Sequence, residues 1–77
     1  MNATVNFLEM LYDNHAKFDY ACIRRSVQGL SKYSVAELQE VARRFGVVPL
    51  KPTKAAILAA MRDKIERRKS MAVRCSF

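Results

Sequence analysis

The chain has 77 residues, 51% of them apolar and 27% charged, with 14 Lys and Arg against 7 Asp and Glu for a net charge of +7. So short a chain makes one domain at most and hides only about 60% of the surface its unfolded form exposes, although its apolar content is that of a folded domain rather than a disordered tail. No apolar run nears the roughly 18 residues of a membrane span, and no charged-then-apolar leader opens the chain, so neither membrane insertion nor secretion is expected.

Helical spacing begins at once. Val5, Leu8, Leu11 and Tyr12 recur three and four residues apart, with Thr4 as the expected N-cap. A second stripe carries Tyr20, Ile23 and Val27, capped by Asp19 and ended by Gly29 in a left-handed conformation. Asn14 and His15 are mild breakers, so residues 1–30 read either as one bent helix or as two. His15 is expected to be an exposed hinge residue, with no acid-base partner to be named.

Ser34 with Glu37 three residues on forms a capping box, after which Leu38, Val41, Ala42 and Phe45 trace an apolar face that Gly46 terminates. From Val47 to Pro52 the chain cannot stay helical, because Pro49 and Pro52 bias Val48 and Lys51 toward extended geometry. Val47, Val48 and Leu50 are candidate core plugs in this connector. Thr53 caps a last helix whose Ile57, Leu58, Met61 and Ile65 form one stripe among helix-favouring alanines. Periodicity fades from Arg67 on, which predicts fraying and a basic mobile tail over 69–77. No alternation of period two persists, so the fold class expected is all-α, a small helical bundle.

Charge is unevenly placed. Through Ser31 three bases balance three acids, whereas from Lys32 onward eleven bases face four acids, so the whole excess lies in the second part. Such a balance favours a polyanionic partner. Cys22 and Cys75 are the only cysteines, which predicts a reducing, intracellular compartment, and with one histidine there is no ligand set for zinc. No nucleophile–base pair assembles, and Gly29 and Gly46 read as helix terminators rather than as a phosphate-cradling loop. No enzyme activity, metal or cofactor is expected.

Tyr33-Ser34-Val35-Ala36-Glu37-Leu38, then Arg44-Phe45-Gly46-Val47-Val48-Pro49-Leu50, then Lys54-Ala55-Ala56-Ile57 resembles a SAP domain, a helix–extended linker–helix module. Leu38, Gly46, Lys54 and Ile57 stand where that family has a leucine, a glycine, a lysine opening the second helix and an aliphatic residue three further on. The resemblance covers roughly residues 31–68, about half the chain, and leaves 1–30 as one or two added helices that enlarge a small core. The stretch Phe45–Leu50 with its basic linker is most similar to the SAP module of the scaffold subunit of structure-specific DNA endonucleases. Pro52-Thr53 replaces the glycine and basic residue that often precede the lysine, so that turn lacks one N–H donor.

The resemblance implies a nuclear DNA-binding module of a repair or recombination scaffold, with double-stranded or branched DNA as partner and a nuclease subunit tethered to it. The residues point the same way. A helix N-terminus receives phosphate readily, and Lys51, Thr53 and Lys54 surround the start of the last helix. If the linker crosses between the two helices, Arg43 and Arg44 should lie beside them, with Lys32 near, in one basic surface that holds phosphates by charge. Two other readings stand beside this one: a protein-docking module for a crossover-junction endonuclease subunit with little DNA contact, and an RNA-contacting or structural accessory bundle.

Plainer roles are open for the same residues. The cations suit a solvated face, and Arg43 and Arg44 also complement a helix C-terminal dipole. Phe7, Phe18, Tyr20, Tyr33 and Phe45 read as core rather than as a stacking platform, and Met61 as core filler. Arg67-Arg68-Lys69-Ser70 resembles a basophilic kinase site, a string common by chance.

Overall fold

The computed structural model describes residues 2–74, with side-chain surroundings through Met71. The described residues form four α-helices and two 3-10 turns: α1 Asn2–Asp13, a turn at His15–Lys17, α2 Tyr20–Gln28, a turn at Gly29–Lys32, α3 Val35–Phe45 and α4 Lys54–Arg74. There is no strand among the described residues. The protein is a small all-α bundle.

One core holds every helix. Leu8 and Leu11 of α1, Ile23 and Val27 of α2, Leu38, Val41 and Phe45 of α3, and Ile57, Met61 and Ile65 of α4 are buried together. Each lies on the stripe its helix spacing marks out. Of the aromatic side chains, Phe45 is buried, Phe18 and Tyr33 pack partly against the core, and Phe7 and Tyr20 remain exposed.

Local chemistry explains the boundaries of α2 and α3. The Cys22 N–H donates to Asp19 Oδ1 at 2.7 Å, capping α2. The Ser34 hydroxyl accepts from the Glu37 N–H at 3.2 Å while Glu37 accepts from the Ser34 N–H at 3.0 Å, so both halves of the capping box form. At the other end of α3, Gly46 takes φ +82°, its N–H reaches Arg43 O, and the Val47 N–H donates to Ala42 O at 3.0 Å. These are the paired bonds of a Schellman turn.

The helix directions place the candidate site. Lys54 Nζ donates to Ser31 O at 2.9 Å, and Lys64 Nζ donates to Phe45 O. The starts of α3 and α4 therefore lie side by side, and α3 ends against the middle of α4: the two run parallel. Helix α2 runs the opposite way along the far half of α4, with Tyr20 Oη 2.9 Å from Ser70 Oγ and Arg24 Nε donating to Glu66 at 3.0 Å.

Of the two readings open for residues 1–30, the structure has the second: two helices, broken at Asn14. Several expectations need correction. Thr4 lies inside α1, not before it, and its hydroxyl is buried within 3.5 Å of Tyr33 Oη. Gly29 is right-handed, with φ −60°, because the chain tightens into a 3-10 turn there. His15 is buried rather than an exposed hinge. Helix α4 does not fray at Arg67 but continues to Arg74, held by α2; the rest of the proposed tail, 75–77, lies outside the described residues. Cys22 is free and half-buried, and Cys75 lies outside the described residues.

Candidate nucleic-acid interface

Thr53 opens α4 as its N-cap: its hydroxyl accepts from the Ala56 N–H at 3.2 Å and its carbonyl from the Ile57 N–H at 2.9 Å. The N–H groups of the first two helical residues, Lys54 and Ala55, are left without intrahelical acceptors, as at any helix start. Lys51 is exposed in the bend just before the cap, and Lys54 is exposed in the first turn. The Lys54–Ser31 contact brings in Lys32, whose amino group stands 5.4 Å over the Tyr33 ring. Lys32, Lys51, Thr53 and Lys54 thus share one end of the molecule.

None of these three lysines pairs with a carboxylate among the described residues, where the ion pairs belong to Arg24, Arg43, Arg44, Arg62 and Arg67. The acidic group of this end, Glu37, is folded back onto the Ser34 N–H, and that backbone hydrogen bond holds its pKa below the ordinary value of 4.5. Three exposed cations beside open helix N–H groups make a surface that attracts phosphate.

Arg43 and Arg44 do not join it. The sequence pattern set them beside Lys51 and Lys54 on the premise that the linker crosses between the helices. The linker instead runs back beside α4 to the end where both helices start, so the arginines lie at the opposite end of α3, roughly 14 Å along its axis from Ser34. Both are also engaged. Glu40 accepts two bonds from the Arg43 guanidinium and one from Arg44 Nε at 3.0 Å, and Arg44 Nη1 donates to Asn2 Oδ1 at 2.6 Å. These bonds hold the Glu40 carboxyl below the ordinary carboxylate range and push the Arg43 guanidinium up. Arg44 therefore ties α3 to the start of α1. The i, i+3 and i, i+4 spacing of Glu40 to the two arginines is the sequence signal for this pairing.

One feature went unread in the sequence and another was misread. Lys64 is half-buried under the end of α3, its amino group 4.2 Å from the centre of the Phe45 ring and 5.1 Å from that of Tyr12. Val48 and Leu50, read as core plugs, are 90% and 98% exposed, and only Val47 of the linker's aliphatic residues packs against the core. The Schellman turn accounts for this, because it turns the residue after the glycine inward and the prolines carry the rest outward.

No family model, curated protein or solved structure matches the chain. Among the described residues no helix is long and apolar enough to cross a membrane. The class that fold and surface define is a small all-α bundle with a cationic end.

Proposed function

We propose that the chain is a DNA-binding module of SAP type that grips the phosphate backbone at the start of α4, and that it serves a repair or recombination scaffold by tethering a structure-specific nuclease to DNA. The observation that carries this reading is the group of lysines 32, 51 and 54, unpaired with any described carboxylate, around an exposed helix N-terminus. Lysine suits that task, since its ammonium holds phosphate oxygen as a point charge without requiring a planar partner. Contacts of this kind position a protein on DNA without reading sequence. The affinity is weak because the contacts are few.

A residue-resolved NMR titration with duplex, single-stranded and four-way-junction DNA at several salt concentrations tests the reading. Shifts are expected at Lys32, Lys51, Thr53 and Lys54 and to fade as salt rises. Replacing both Lys51→Glu and Lys54→Glu should lower the slope of log affinity against log salt by about 1 for each phosphate no longer neutralised. Binding that is insensitive to salt, or shifts confined to the α2 face, would defeat the proposal.

A further inference from the structure

We infer that the groove between the linker and α4 is a docking site for a short acidic amphipathic helix of a protein partner, a surface separate from the phosphate anchor. The groove measures about 610 Å³. Val48 and Leu50 form its linker wall, and Ala56, Ala59 and Ala60 line its α4 side. Val48 and Leu50, 90% and 98% exposed on a 77-residue chain, offer a partner the transfer energy of two apolar side chains that the fold itself leaves unused.

Shape indicates a helix as the occupant. Ala56, Ala59 and Ala60 lie three and four residues apart on one helix face, and their small side chains allow another helix axis to approach to about 8 Å. From Ala56 to Arg67 the groove follows α4 for about 16 Å, the length of three helical turns. Apolar residues at i, i+3 or i+4 and i+7 of a partner helix would meet Val48, Leu50 and the alanines in turn.

Charge sets the sign of that partner. At its far end the groove carries Arg62 and Arg67 against the single acid Asp63. Arg67 pairs with Asp63 at 3.0 Å, whereas Arg62 reaches Glu66 only at 4.0 Å and keeps most of its hydrogen-bonding capacity. An acidic flank on the partner would satisfy it. A second copy of this chain would bring another net charge of +7 onto the same basic wall, which disfavours self-docking. DNA fits less well, because an apolar, alanine-lined hollow offers phosphates nothing to bond.

The full chain can be titrated with a synthetic three-turn peptide bearing leucines at i, i+3, i+4 and i+7 and glutamates elsewhere, with the same peptide carrying lysines in place of the glutamates, and with duplex DNA. The acidic peptide is expected to shift the amides of Val48, Leu50, Ala59 and Ala60, and the lysine peptide to leave them unmoved. Val48→Ser with Leu50→Ser, at positions too exposed to threaten the fold, should weaken the acidic peptide about tenfold. Lys32→Glu, at a residue of the phosphate anchor that does not line the groove, should leave peptide binding in place while DNA affinity falls, which separates this inference from the phosphate reading. Equal binding of both peptides, no shifts at millimolar peptide, self-association through Leu50, or DNA shifting Ala59 and Ala60 as strongly as Lys51 and Lys54 would each overturn it.

Discussion

Lys64 makes three favourable contacts with one amino group. It donates to the last carbonyl of α3 and lies over the rings of Phe45 and Tyr12, which meet edge to face 6.4 Å apart. A cation at a helix C-terminus is favoured by the helix dipole, and over an aromatic face by the ring quadrupole. Lys64→Ala is expected to destabilise the fold by about 1–2 kcal/mol in urea melts, with Lys64→Met recovering the packing part alone. The neighbouring glycine answers to its backbone. A Cβ at Gly46 would stand 3.6 Å from Lys64 Nζ, an ordinary contact, so Gly46→Ala should cost only the left-handed strain of about 1–2 kcal/mol. Gly46→Asn should cost less, because asparagine tolerates that conformation.

Glu37 and Glu40 give acid sensitivity at the same scale. Both have folded-state pKa values held below the ordinary 4.5, through hydrogen bonds from Ser34 to the first and from Arg43 and Arg44 to the second. The stability they add is present in full above the unfolded carboxylate value and disappears as pH falls through the depressed folded values. Thermal midpoints should thus hold level from neutrality to about pH 5 and drop below it. Glu40→Gln should flatten that acid limb; an unchanged limb would show that the contacts of Glu40 do not persist in solution.

At the level of elements, the boundaries readable in the sequence were those whose chemistry is complete within four or five residues. Ser34 with Glu37, Asp19 with Cys22, and Thr53 with Ala56 all close such local bonds. Ser34→Ala and Thr53→Ala should each cost about 1 kcal/mol, measured as a shift in urea midpoint at constant m-value. What the sequence hid depends on distant partners. Thr4 looks like a cap until Tyr33 appears beside it, and the sequence around Ser70 looks frayed until Tyr20 and Lys69 bind it to the α2 region. The candidate site divides the same way. Lys51, Thr53 and Lys54 were readable because they adjoin one helix start, whereas the separation of Arg43 and Arg44 from them follows from the parallel course of α3 and α4, which no short-range pattern encodes.

For the whole molecule, the neutral first part and the basic second part form one core rather than two bodies. Leu8, Leu11, Ile23 and Val27 are nearly or wholly inaccessible, and the α3–α4 pair would expose its own Leu38, Met61 and Ile65 without them. Each such side chain contributes about 1.5–3 kcal/mol on burial, against a total stability of about 5–15 kcal/mol for a domain. A fragment beginning at Ser31 is therefore expected to show little helical circular dichroism alone, and to regain it when a peptide of residues 1–30 is added.

The parallel course of α3 and α4 also gives the linker a mechanical duty. Eight residues, Gly46–Thr53, must retrace the length of an eleven-residue helix, roughly 16 Å, while fully stretched they reach about 26 Å. The tether has slack for about three residues and no more. Trimming it by two should therefore be absorbed, whereas trimming by four should pull the start of α4 out of register and break the reach of Lys54 to Ser31.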